Sequence, residues 1–220
     1  MRIATWNIER LKHKKSIQDI VFECESRKAD ILVLTETDSQ VMPKYNSCFQ
    51  TASLKDVIEP AIYNDTENRV SIYTNYKCVG QHNTYDEETS VCVDLETERG
   101  TLTIYGTIIG IVGNRRSSYL TDLQKQMQDI EQLVRTGRNV CMIGDFNCSF
   151  SDNYYYTSIG RNMLFDFFKE NDISVLTADC SECIDHIAIS NSFLVSTIPE
   201  IHEWNYQKIL SDHKGIMVDV

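Results

Sequence analysis

Proline is scarce in this sequence, with 3 residues among 220, and no stretch is rich in Gly and Ser or otherwise of low complexity. Nothing in the composition marks a linker or a repeat, so one domain over residues 1–220 is expected. No apolar run approaches the roughly 18–20 residues that a membrane helix needs. The opening Met1–Trp6 is too polar and too short for the core of a signal peptide. Together these absences predict a cytoplasmic protein with no membrane contact and no obligate protein partner. A basic excess is missing too. Lys and Arg number 21 against 32 Asp and Glu, a net charge of −11. That balance excludes a protein that coats nucleic acid, because phosphate neutralisation requires a basic surface. An enzyme acting on phosphate esters stays open, since a carboxylate-lined metal site is acidic by necessity.

Hydrophobic residues, at 42%, suffice for a substantial core in a chain of this length. The eight cysteines are expected as reduced thiols. Cys92 and Cys141 lie in apolar runs and read as small buried hydrophobes, and Cys180-x-x-Cys183 reads as part of a loop. Strands are expected over 2–6, 30–35, 70–73, 90–95, 101–107, 139–143, 187–189, 194–197 and 216–218. Helical stripes run over 16–26, with Ser16 as N-cap, over 119–136, closed by Gly137, and over 163–169. Many strands with a few helices between them predict two packed sheets with helices outside.

The polar residues of interest fall at strand ends. Asn7 and Glu9 follow the first strand, Glu36 the second, and Asp145 with Asn147 a central one. Asp185 precedes a late strand, and Asp212-His213 precedes the last. Strand ends project side chains from a rigid sheet into a shared cleft, and carboxylates gathered there repel unless a cation compensates them. Hard oxygen donors without clustered His or Cys favour Mg²⁺ or Mn²⁺ over zinc. One His beside such a set suits metal-assisted phosphoryl transfer to water.

Five ordered motifs carry a resemblance: Thr5-Trp6-Asn7-Ile8-Glu9, Leu34-Thr35-Glu36-Thr37, Gly144-Asp145-Phe146-Asn147, Ile184-Asp185-His186-Ile187, and Ser211-Asp212-His213-Lys214-Gly215. In these the chain resembles the endonuclease/exonuclease/phosphatase superfamily over nearly its whole length. The resemblance implies a four-layered α/β/β/α sandwich, two mixed sheets flanked by helices, with its site at one edge of the sheets. It also implies roles. Glu36 would be the principal metal ligand, with Asn7 beside it on metal or phosphate, and Glu9 and Asp212 would complete this site or a second one. Asp145 would orient or deprotonate the attacking water, and Asn147 would hold a phosphate oxygen. His213, held by Asp185, would contact the scissile phosphate.

The family strand before the middle helix usually ends in a His or Tyr that touches phosphate, and here Thr107 is expected at that position, with Tyr105 on the same face. For substrate, Lys12 and Lys14 in the segment 10–15, together with Arg115 and Arg116, are expected to form a positive rim. The run Asn153–Tyr156 is either a base-stacking surface or a tyrosine cluster packed on a loop. The expected activity is a divalent-metal-dependent phosphodiesterase, a nuclease or nucleic-acid end-processing enzyme. The alternatives are a phosphomonoesterase for a small phosphorylated metabolite or inositol-type headgroup, and a catalytically weakened binding protein on the same fold.

Overall fold

The computed structural model describes residues 1–14, 16–55, 63–111, 115–194 and 198–220, with the backbone alone at 13, 14 and 115–118. Twelve strands are described. They are β1 (Arg2–Asn7), β2 (Ile31–Asp38), β3 (Ser47–Gln50), β4 (Glu67–Thr74), β5 (Lys77–His82), β6 (Ser90–Thr97), β7 (Gly100–Ile108), β8 (Asn139–Asp145), β9 (Ile173–Val175), β10 (Asp185–Ser190), β11 (Glu200–Trp204) and β12 (Gly215–Asp219). The helices are α1 (Ile17–Ser26), α2 (Arg115–Arg135) and α3 (Ser158–Glu170). A short 3₁₀ helix, Glu9–Lys14, leaves the end of β1.

The strands form two six-stranded sheets, in the orders β11-β12-β1-β2-β4-β3 and β5-β6-β7-β8-β10-β9. Each sheet has one parallel pair near its centre, β1 with β2 and β7 with β8, and its other pairs are antiparallel. A parallel pair needs a crossover, and α1 and α2 are those crossovers. The inner faces of the two sheets meet in one apolar layer, with Ile3, Val33 and Ile72 facing Ile104, Ile143 and Ile187. The outer face of the first sheet packs Trp6, Leu32 and Leu34 against Ile20 and Cys24 of α1. The outer face of the second packs Tyr105 and Met142 against Leu123, Ile130 and Leu164 of α2 and α3. The result is the four-layered α/β/β/α sandwich.

Local chemistry explains the helix starts. Ser16 accepts a hydrogen bond from the Asp19 amide and caps α1 as expected. Thr157 does the same for α3 through the Gly160 amide, so that helix begins five residues before its expected start at 163. Leu194 follows a 3₁₀ helix over Asn191–Phe193, while 195–197, the rest of that expected strand, lie outside the described residues. Four strands have no counterpart in the sequence pattern: β3, β5, β9 and β11. All four are edge strands. An edge strand pairs on one side only and here is partly exposed, so its residues need no apolar run. All eight cysteines are unpaired, and Cys92 and Cys141 are buried in the core.

Candidate active site

The carboxyl ends of β1, β2 and β8 converge on one open cleft of about 400 Å³. Loops after β8 and before β10 and β12 complete it. Open sheets place their sites at this end, where chains leave parallel strands toward the crossovers. Asn7 ends β1, fully buried, and its amide bridges two other chain positions. Its Nδ2 donates to Glu36 Oε1 at 3.3 Å and to Asp145 Oδ2 at 3.1 Å. Its Oδ1 accepts from the Glu9 amide at 2.8 Å, which starts the turn into the 3₁₀ helix.

Glu9, Glu36 and Asn147 adopt left-handed backbone, with φ of 53°, 41° and 49°. Such conformations cost a non-glycine residue roughly 1–3 kcal/mol, and their concentration around one cleft marks a functional constraint. Glycine serves the same site in two places. At Gly144, φ is 134° and an added Cβ would lie 2.0 Å from the Thr107 carbonyl oxygen, so only glycine lets β8 run this close to β7 before Asp145 emerges. At Gly215 an added Cβ would strike the Trp204 ring, which packs edge-on to Trp6 behind the site.

Asp145 and Asp185 are directly opposed across the antiparallel β8–β10 pair. Two carboxylates in that relation repel, and both are buried. Two contacts hold the arrangement together. The Asn147 amide donates to Asp145 Oδ1 at 2.8 Å, and His213 Nδ1 lies 2.6 Å from Asp185 Oδ2. The His213 loop is itself anchored to β1. Ser211 Oγ donates to the Asn7 carbonyl and accepts from the His213 amide, and the His213 carbonyl accepts from Trp6 Nε1 and Asn205 Nδ2. Burial, then the neighbouring Asp185 charge, pushes Asp145 up to about 7. Burial alone would lower His213, but the Asp185 carboxylate on its ring outweighs it and raises the imidazole to about 10.

Asn7, Glu36, Asp145, Asn147, Asp185 and His213 are thus gathered at one place, with Glu9 and Asp212 on its rim. The next residue after Asp185 shows strand alternation. His186 faces the opposite side, buried between Thr177 Oγ1 and the Cys148 carbonyl, and takes no part in the cleft.

The substrate-binding expectations divide. Lys12 lines the cleft. The side chains of Lys14, Arg115 and Arg116 lie outside the described residues. Arg10, in the same basic segment, is drawn instead into an ion pair with buried Glu67 at 3.0 Å and lies over the Tyr63 ring.

Thr107 does not reach the cleft. It is fully buried and donates to Gln126 Oε1 of α2, while Tyr105 on the same face bonds Ser90 and Asp129. The register of β7 on β8 pairs Ile108 with Asp145, so the residue sharing Asp145's face is a buried isoleucine. An apolar group at that place supplies no hydrogen bond to phosphate. Of the expected tyrosine run 153–156, Tyr154 and Tyr155 line the cleft. Lys214, quoted in the last motif but given no role, lines it too. The residues missed from sequence are Glu182 on the lining and Lys208, whose Nζ donates to the Tyr154 hydroxyl at 2.9 Å. Only the nearness of Lys208 to the Asp212-His213 motif could have signalled the second.

The donor chemistry, hard carboxylate oxygens, is that of a divalent-cation site, although among the described residues the group with three ligand atoms within 4.8 Å of one another lies outside the cleft. Glu9, Glu36, Asp145, Asp185 and Asp212 bring carboxylate oxygens to one cleft, and Asp185 Oδ1 is buried with no hydrogen-bond partner among the described residues. Elsewhere, Glu200, His202 and Asp219 have ligand atoms within 4.8 Å of one another. That group lies at the far end of the first sheet, where Arg2 already binds Asp219.

Known structures share this architecture. An AP endonuclease from Archaeoglobus fulgidus superposes with a TM-score of 0.72 at 11% identity, covering 100% of this chain and 98% of that one. A 3′ phosphatase from Neisseria, solved with product DNA hairpin, gives 0.70 at 14% identity, with 100% and 98% covered. Truncated TDP2 from Caenorhabditis elegans gives 0.70 at 11% identity, with 99% and 95% covered. No curated protein matches in sequence. The model of the endonuclease/exonuclease/phosphatase family matches residues 4–213, and the motifs inside that span are those that build the cleft. The chain belongs to the endonuclease/exonuclease/phosphatase family.

Proposed function

We propose that this protein is a divalent-metal-dependent phosphodiesterase that cleaves a phosphate ester of a nucleic acid, or of a nucleic-acid end, with water. The observation that carries the reading is the Asp185–His213 pair set against Asp145, with Asn7 tying Asp145 to Glu36. Glu36, with Glu9 and Asp212, would hold Mg²⁺ or Mn²⁺, which when bound polarises a phosphoryl oxygen and neutralises developing charge.

The protein's own groups divide the rest of the work. Asp145 receives hydrogen bonds on both oxygens, from the amide of Asn147 and the side chain of Asn7; these orient it, and the Asn147 bond offsets part of the burial that raises its pKa. In its ionised form it accepts a proton from the attacking water. His213 gives Nδ1 to Asp185, a contact that favours its protonated form, and its Nε2, 3.7 Å from Asp212 Oδ1, is the edge that would serve a phosphate oxygen. Asn147 turns its Nδ2 to the Ile109 carbonyl, which fixes the loop beside Asp145. In the Neisseria structure the product bound on the same fold is DNA, which supports a nucleic-acid ester. The modest volume of the cleft, about 400 Å³, favours a second reading, a phosphomonoesterase for a small ester.

Hydrolysis by the purified chain, with Mg²⁺ or Mn²⁺ and with chelator, separates these readings. The panel holds DNA, RNA, a simple phosphodiester and several phosphomonoesters. Asp145→Ala is expected to lose at least roughly 100-fold in rate, in the range of removing a general base. Metal-dependent diester cleavage that disappears in the variant supports the proposal. Phosphate release from monoesters alone would replace it with the second reading, and equal rates in the variant would remove Asp145 from the mechanism.

A further inference from the structure

Among the described residues, acidic side chains outnumber basic ones around the cleft. Six carboxylates line it, from Glu9, Glu36, Asp145, Glu182, Asp185 and Asp212. The basic side chains on its described lining are Lys12, Lys214 and His213. Lys214 is itself buried and spends its ammonium on the Ser181 carbonyl and Glu203. His213 is held by Asp185, and Arg10 by Glu67. Duplex DNA carries a negative charge for about every 1.7 Å of axis, and tracking it requires a row of cations that the described walls do not offer.

Tyr154 lines the same cleft and remains 48% exposed. Its backbone is set by a turn in which its amide donates to Asp152 Oδ1 at 3.0 Å. Lys208, on the segment leading to Ser211 and His213, donates to its hydroxyl, with Nζ 4.7 Å from the ring centroid. The ring is thereby tied to the loop that carries the catalytic His. An aromatic face held beside a phosphate site is a platform for one base. The volume of about 400 Å³ is near the lower end of small-ligand sites.

We propose that the cleft admits a single unstacked nucleotide, its base against Tyr154 and its phosphoester between Lys12 and His213. The substrate is then a nucleic-acid end or a free nucleotide ester, and not the interior of a duplex. This rests on the phosphodiesterase reading and narrows it. Tyr154 selects for a base, and Lys208 holds Tyr154 in position.

The test uses the whole chain with Mn²⁺ and compares a single-stranded oligonucleotide, a covalently closed duplex circle, a nitrophenyl ester of a mononucleotide, and an oligonucleotide with an abasic end. The closed circle is expected to react roughly 100-fold more slowly than the free end, because a paired base must first be unstacked. KM for the oligonucleotide should rise with salt with a log–log slope of about 1–2, the signature of one or two phosphates. The ratio of KM for abasic and base-bearing ends should be roughly 5- to 150-fold, the worth of one base–aromatic stack. It should collapse toward unity in Tyr154→Ala and be reduced but retained in Tyr154→Phe, which keeps the ring and loses the Lys208 bond. Cleavage of the oligonucleotide identifies the end as the source of the ester, and cleavage of the mononucleotide ester alone identifies the free nucleotide.

Equal attack on the closed circle, a slope above about 4, or an unchanged ratio in Tyr154→Ala would overturn the inference while leaving the hydrolase reading intact. If no ester is hydrolysed, that reading fails. Quenching of a terminal aminopurine by wild type but not by Tyr154→Ala would then still support the base platform, and no quenching would overturn it.

Discussion

Glu36 pays twice for its place, once in a left-handed backbone at φ 41° and once in sharing a cleft with four other acidic residues of the donor set. Replacing it by Gln keeps the Asn7 contact and removes one charge. Glu36→Gln is expected to leave stability within about 0.5 kcal/mol of wild type in the metal-free protein while abolishing hydrolysis. Urea denaturation with chelator checks the first part, and a large loss of stability would show that Glu36 serves the fold as well as the site. His186 gives the opposite case of a residue serving structure alone. Burial lowers its pKa from the ordinary 6.5 to about 4 despite the nearby Asp185 charge. The folded state therefore resists protonation that the unfolded chain accepts. Stability from the neutral ring is full above about 6.5 and declines as pH falls toward and through about 4, by roughly 3 kcal/mol over that window. His186→Gln cannot titrate, so the stability gap between wild type and variant should narrow on acidification; a gap constant with pH would sink the assignment.

Among elements, β8 bears a tight constraint, because Gly144 lies against the Thr107 carbonyl just before the chain delivers Asp145. Gly144→Ala must push β8 from β7 and is expected to cost about 3 kcal/mol or more, with a matching loss of turnover. A urea midpoint near that of wild type would show that the two strands can separate cheaply here. Element type was legible wherever a strand is central. The run Ile31-Leu32-Val33-Leu34 is buried in β2, and strands paired on both sides read as near-continuous apolar runs. The edges were not legible. In β5, Lys77–His82 alternates between exposed and half-buried and shows the sequence no apolar face. Thr107 failed for a related reason. The sequence places it near the end of β7, but its facing depends on the register with β8, and that register assigns the Asp145 side to Ile108.

For the molecule as a whole, the first sheet draws on both ends of the chain, with β12 beside β1 and the Met1 amine on the Val220 carbonyl. The cleft is likewise assembled from residues 7 to 213, so its electrostatic strain is a property of the complete fold. A cation that relieves this strain binds the native state in preference to the unfolded chain. At about ten times its dissociation constant, Mn²⁺ should add about 1.4 kcal/mol of stability. For a chain of this size that raises Tm by about 3–6 °C. The shift should largely vanish in Glu36→Gln. An equal shift in that variant would move the cation away from Glu36.

The sequence by itself determined the residue types of the site and their order at the ends of strands, because apolar runs and the polar clusters that close them are local features. It likewise determined the layered class, since strand and helix periods are written into neighbouring residues. Only the tertiary structure decided which side each end residue faces, which cations are already spent on buried partners, and that Asp145 and Asp185 oppose one another across β8 and β10. Register and burial are set by pairing between segments far apart in the chain, and no window of sequence contains both partners.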